Sequence, residues 1–223
     1  EHVELSFEID TESCRVTSRL LLRRNDKYPR ANAPLELDGS GLELEQISVD
    51  GAALESSDYW LNAESLVIED VADKFVLEIT NRIQPAENHS GLGMFVAGGV
   101  VATQCEAQGF RRLTWFPDRP DVLTRYTVRL TADKERYPVL LSNGNPVDRG
   151  ELGDGRHWVV WNDPIPKPSY IFAAVAGRLA ALEDRFVTRS GRNVALAIYT
   201  SEERVSQCDF AMASLKRSMK WEE

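Results

Sequence analysis

The sequence predicts a mainly β protein, a β-sandwich of many short strands that gives way near its end to a hairpin and one helix. Three observations carry this. Apolar and polar residues alternate over short stretches, as in strands with one buried face. Turn signals recur roughly every 8 to 12 residues, the spacing of a sandwich. Apolar residues at helical spacing are read from Cys208 to Met219.

The strands follow in order. Val3, Leu5, Phe7 and Ile9 alternate with Glu4, Ser6, Glu8 and Asp10, and Val16, Ser18, Leu20 and Leu22 continue the pattern. Leu35 and Leu37, then Leu42 and Leu44, flank Asp38-Gly39-Ser40-Gly41, which reads as a hairpin. Ile47 and Val49 lead into Asp50-Gly51, a tight-turn dipeptide. Leu66 with Ile68, and Phe75 with Leu77 and Ile79, give two more half-buried strands. Tyr126-Val128-Leu130 and Val139-Leu141 resume the alternation, and Asp154-Gly155 precedes the aromatic run from His157 to Trp161. Tyr170 to Val175 is almost wholly apolar, which predicts a strand buried on both faces.

Two stretches break the pattern. Residues 85–120 are rich in Gly and polar groups with weak periodicity, and Pro164, Pro166 and Pro168 predict an extended connector. Beyond Gly177 a hairpin about Ser190-Gly191 precedes the helix, in which Met212, Leu215 and Met219 form an apolar stripe. A domain boundary is placed there, dividing the chain into residues 1–178 and 179–223. The chain starts inside an alternating strand and ends on a helix with no Gly, Asn or Pro to stop it, so a segment of a longer protein is expected.

The chain has 223 residues and a net charge of −9. That balance argues against nucleic acid or an anionic membrane as partner, both of which call for a basic surface. Cys14, Cys105 and Cys208 are widely spaced, without a CxxC pair, which fits a reducing compartment. There is no apolar run of the ~18 residues a membrane span needs. A cytoplasmic location is expected.

The chemistry-bearing residues are sparse. His2, His89 and His157 make no helical pair, and no metal site is read, since zinc needs three or four converging ligands. GxSxG, GxxxxGK[ST] and GxGxxG are absent. Cys105 reads as a small half-buried thiol rather than a nucleophile. The segment Thr103-Gln104-Cys105-Glu106-Ala107-Gln108-Gly109-Phe110-Arg111-Arg112 is different. Gln104 and Glu106 stand two apart, so an extended chain points both the same way. A carboxylate and an amide side by side suit capture of a cation. Arg111, Arg112 and Arg119 with Asp118 and Asp121 suit a structural ion-pair network equally well, and both readings stay open at this point.

TQCEAQGFRR and FPDRPDV, with ELGDGRHWVVWNDPIPKPSYIFAAVAG and TRSGRNVALAIY downstream, resemble the N-terminal part of the bacterial aminopeptidase N family, the alanyl-type zinc aminopeptidases. The resemblance covers Gly91 to Glu223, whereas the first 90 residues match only in style. It implies a saddle-like β-rich N-terminal domain followed by the start of a thermolysin-like catalytic domain. In that family zinc is held by HExxH and a later glutamate, and a GxMEN loop binds the substrate's amino end. Neither motif occurs in this chain, so zinc is expected only in the complete enzyme and the 223 residues alone are expected to be inactive.

By the same resemblance Glu106 pairs with the substrate α-ammonium, as a buried carboxylate, and Gln104 helps position the first residue. Phe116 to Pro120 is expected to buttress their loop. The partners implied are peptides with a free N-terminus and the remaining domains of the polypeptide. The alternative from another class is a non-catalytic β-sandwich binding or scaffold module.

Overall fold

The computed structural model describes residues 2–25 and 33–223; Glu1 lies outside them. The chain divides into two compact units, Glu1–Gly177 and Arg178–Glu223.

The first unit is built on an eight-stranded sheet. Its strands run in the order Asn145–Glu151, Arg156–Lys167, Thr124–Asp133, His2–Ile9, Cys14–Arg23, Lys74–Ile83, Glu43–Val49 and Ala52–Ala53. The alternation read from the sequence sets the faces. Val3, Leu5, Phe7 and Ile9 are buried, as are Val16 and Leu20, Phe75, Leu77 and Ile79, and Tyr126, Val128 and Leu130. Nearly all neighbours are antiparallel. The exception is His2–Ile9, which lies parallel to Thr124–Asp133, with Val3 opposite Tyr126 and Phe7 opposite Leu130.

A four-stranded sheet of Val139–Ser142, Ala174–Gly177, Val100–Gln104 and Gly93–Ala97 shares one hydrophobic core with the large sheet. Phe7 of the large sheet stacks on Phe172, just before the second strand of the small one, with ring centroids 6.1 Å apart. A three-stranded sheet of Leu35–Asp38, Ser65–Ile68 and Tyr59–Leu61 adds Leu37, Leu66 and Ile68 to that core.

Asp50-Gly51 makes the expected two-residue turn, with Val49 opposite Ala52 and both turn residues at positive φ, 50° and 83°. Asp38–Gly41 does not close the predicted hairpin. Leu35–Asp38 pairs with Ser65–Ile68, while Glu43–Val49 pairs with Lys74–Ile83 in the other sheet. Two tertiary contacts divert the chain. Asp38 and Phe116 exchange backbone hydrogen bonds at 2.9 and 3.0 Å, and Gly39 lies against the indole of Trp115, where a Cβ would fall 2.3 Å from ring atoms.

Other expectations are corrected too. Residues 85–120 contain two strands, Gly93–Ala97 and Val100–Gln104, turned at Gly98 and Gly99 with φ of 57° and 79°. Strands only five residues long leave little periodicity to read. Tyr170–Val175 is no doubly buried strand. Ser169–Ile171 is a 3-10 turn with Tyr170 and Ile171 exposed, and thereafter Phe172, Ala174 and Ala176 face inward alternately. Pro164 and Pro166 lie inside the strand Arg156–Lys167, beyond its pairing with Asn145–Glu151, where a missing N–H leaves no ladder bond unmade. In that strand Trp161 joins the core and donates to the Leu140 carbonyl at 3.2 Å. Trp158, three residues away and so on the opposite face, stacks under the Arg129 guanidinium at 4.0 Å.

The second unit consists of a hairpin, Ala180–Val187 paired with Asn193–Thr200, a 3-10 segment Glu202–Gln207, and the helix Asp209–Glu222. Lys216 of the helix pairs with Asp184 of the hairpin. Of the predicted apolar stripe only Met212 is fully buried; Leu215 is partly open, and Phe210 and Trp221 are exposed.

Candidate functional site

Gln104 closes the strand Val100–Gln104, directly across from Gly93 on the neighbouring strand. Past it the chain turns over residues 106–109; the side chains of Gln104 and Glu106 are exposed while Cys105 between them is 2% exposed. The Gln104 amide donates to the Glu106 carbonyl oxygen at 3.3 Å, and the Glu106–Ala107 peptide bond is cis. The expectation of a buried carboxylate does not hold for this chain: Glu106 is open, and among the described residues it has no ion-pair partner.

The return of the chain is tightly built. Gly109 N–H donates to the Cys105 carbonyl at 2.8 Å. A Cβ at Gly109 would fall 2.2 Å from the Gln104 carbonyl oxygen and 2.9 Å from Gly93 N. Phe110 follows, fully buried, with its ring edge-on to Phe116 at 4.8 Å and Phe172 at 5.3 Å.

Arg111 and Asp118 brace the loop from below. Asp118, with its carboxylate 1% exposed, accepts from both the backbone N–H and Nε of Arg111 at 3.1 Å, and Ser169 Oγ donates to its other oxygen. Asp38 joins them, paired to Arg111 Nη1 at 3.1 Å and accepting the Asp118 backbone N–H at 3.0 Å. Asn81 Nδ2 donates to the Leu113 carbonyl, and Ser18 and Thr114 share a hydroxyl hydrogen bond at 2.9 Å. The segment is thus fastened to the large sheet as well. Arg119 and Asp121 form a separate, exposed pair, which is worth little in water.

Of the ion-pair network that the sequence left open for Arg111, Arg112 and Arg119 with Asp118 and Asp121, the structure forms Arg111–Asp118 and Arg119–Asp121; Asp38 and Ser169 were not read from the sequence. Asp38 was visible only as a turn residue before Gly39, and nothing local distinguishes Ser169.

Cys105 is unsuited to nucleophilic chemistry. Burial, helped by the Asp118 charge, pushes its thiol up to about 12, far from the thiolate that attack requires. His157 Nε2 is engaged with the Tyr137 carbonyl at 2.8 Å, His2 with the Thr127 hydroxyl at 3.2 Å, and His89 sits in a loop before Gly93–Ala97. Among the described residues no three His, Cys, Asp or Glu side chains converge to hold a metal ion, so the described residues do not fit a zinc site.

Residues 96–171, which contain the whole braced loop, match the Peptidase M1 N-terminal domain. Across its full length the chain is 47% identical to aminopeptidase N of Caulobacter vibrioides, and over 99% of its length it is 45% identical to aminopeptidase N of Escherichia coli. The chain corresponds to the N-terminal domain of M1 aminopeptidases. It spans about a quarter of the length of those relatives, 25% of each.

The solved structure of Legionella pneumophila aminopeptidase A, in complex with aspartic acid, superposes on this M1 domain with a TM-score of 0.95 at 35% identity. All of the chain and 26% of the Legionella protein are covered. A Deinococcus radiodurans M1 zinc metallopeptidase bound to a Tyr-Ser-Ala substrate matches at a TM-score of 0.74. At 15% identity over 91% of this chain and 47% of that one, it shows the shared fold alone. No helix among the described residues is long and apolar enough to cross a membrane.

Proposed function

We propose that the complete protein is a cytoplasmic zinc aminopeptidase with an alanyl-type preference, and that this M1 domain supplies the end of its active site that receives the substrate's free amino group. Glu106 pairs with the α-ammonium and Gln104 positions the first residue. The remaining domains of the polypeptide hold the zinc, whose ligands are not in this chain. Residues 179–223 open the catalytic domain. The observation that supports the role of Glu106 most directly is an exposed carboxylate with no ion-pair partner among the described residues, on a loop braced beneath by Arg111, Asp118 and Asp38.

Magnitudes add a requirement. An open carboxylate gains about 0–1 kcal/mol from an ammonium in water, too little to select a substrate. A water-excluded hydrogen-bonded pair gains more, about 1.5–3 kcal/mol. Glu106 therefore works only when the rest of the polypeptide encloses it, and the selectivity for an unblocked amino end belongs to the assembled protein. Neither residue transfers a proton; both bind and orient.

The test uses the complete protein with zinc and an alanyl chromogenic anilide. Glu106→Gln lowers kcat/KM by about ten- to a hundredfold while leaving Tm unchanged. An unchanged kcat/KM overturns the role of Glu106. No aminopeptidase activity in the unmutated complete protein overturns the whole reading.

A further inference from the structure

A polar cleft opens beside the strand Gly93–Ala97. It has a volume of about 360 Å³, and Ser40, Glu87, His89, Met94 and Arg112 are among its lining residues. Its walls are firmly built. Asn88 Nδ2 donates to the Leu92 and Met94 carbonyls at 2.7 and 2.8 Å, and Asn88 Oδ1 accepts from the N–H and hydroxyl of Ser90. Ser40 N–H donates to the Arg111 carbonyl at 2.9 Å, which ties the far wall to the segment carrying Arg112.

Arg112 is fixed at its root. Gly93, at a φ of 80°, leaves the space its side chain would take, and a Cβ there would lie 2.6 Å from Arg112 Cβ. Arg112 is half-buried, Glu87 is exposed, and among the described residues neither has an ion-pair partner, in each other or elsewhere. Two opposite charges lining one small cleft, its Asn88 amide and Ser90 hydroxyl already hydrogen-bonded within the wall, fit a ligand that carries both charges itself. A lone anion would meet Glu87 and a lone cation would meet Arg112. The volume lies at the small end of ligand pockets.

We propose that this cleft binds a free α-amino acid, its carboxylate on Arg112 and its ammonium on Glu87. The site is separate from Gln104 and Glu106, and the inference does not depend on the role given to them.

The test is calorimetric titration of L-alanine into the complete protein carrying Glu106→Ala, which removes the other proposed ammonium partner. One site is expected. Arg112→Gln, which keeps the Cβ and Cγ packed near Gly93, and Glu87→Gln, at an exposed position, should each weaken it at least about tenfold. N-acetyl-L-alanine and L-alaninamide, which each lack one charge, should bind at least about tenfold more weakly than L-alanine. Binding of L-alanine that neither substitution changes, or no binding at all, overturns the proposal. Equal binding of N-acetyl-L-alanine also overturns it, in favour of an anion site on Arg112 alone.

Discussion

The Asp118 carboxylate accepts two hydrogen bonds from Arg111, one from its backbone N–H and one from its Nε, both at 3.1 Å. The same residue thus fixes the path of the chain and the direction of the side chain. Asp118→Ala leaves the Arg111 guanidinium with Asp38 and the backbone carbonyl of residue 118, and strands Ser169 Oγ. Removing one partner of a buried charge pair costs about 3–5 kcal/mol, and Arg111 is 22% exposed, so the lower end applies. Urea denaturation followed by circular dichroism should show a loss near 3 kcal/mol, and Asp118→Asn should recover part of it.

Gly109 is required by space rather than by φ, which is −90°. The atoms a Cβ would meet are backbone of Gln104, Cys105 and Gly93, and these cannot swing aside. Gly109→Ala should cost about 1–3 kcal/mol, as overpacking does, and move Gln104 and Glu106 together. In the complete protein kcat/KM on an alanyl anilide should fall with it. Gly51→Ala, at a positive φ of 83° but with open space about it, should lose stability without losing kcat/KM.

Tyr126 is fully buried, yet its hydroxyl finds no hydrogen-bond partner among the described residues. Its ring is well used, 6.0 Å from Phe110 and 5.7 Å from Phe172. Tyr126→Phe keeps the ring and removes an unsatisfied polar atom, and should raise stability by about 1 kcal/mol. A loss of that size in the denaturation midpoint would mean that the hydroxyl is bonded after all.

Cys105 predicts a pH effect. In the folded chain its thiol keeps its proton up to about 12, whereas an ordinary exposed thiol titrates at 9.0. Between those values the unfolded state has lost a proton the native state still holds, so stability falls as pH rises. The slope from this group approaches about 1.4 kcal/mol per pH unit, and below pH 9 the contribution is constant. Cys105→Ala should flatten the stability profile between pH 9 and 12, and iodoacetamide at pH 8 should leave Cys105 unmodified in the native protein.

Much of this fold was legible because its long strands are half buried. Val3 to Ile9, Cys14 to Leu20 and Tyr126 to Leu130 each bury every second residue, and period two survives in the sequence. Legibility fails where tertiary contacts override local grammar. Asp38–Gly41 has the composition of a hairpin turn, but the bridge to Phe116 and the indole of Trp115 recruit it for a crossing between sheets. At the candidate site, the alternation of Gln104, Cys105 and Glu106 could be read directly. The openness of Glu106 could not, because burial depends on what else packs nearby, and no residue type announces that.

The parallel pairing of His2–Ile9 with Thr124–Asp133 has a consequence for how the protein is made. One edge of the first long strand can be matched early by Cys14–Arg23, but the other edge waits for a segment that lies beyond all the small-sheet hairpin. At a translation rate of roughly 5–20 residues per second, that wait lasts several seconds on the ribosome. Throughout it Val3, Leu5, Phe7 and Ile9 lack their cover, beside a row of unmatched amide and carbonyl groups. The edge of the first strand therefore stays unpaired until Thr124–Asp133 has left the exit tunnel.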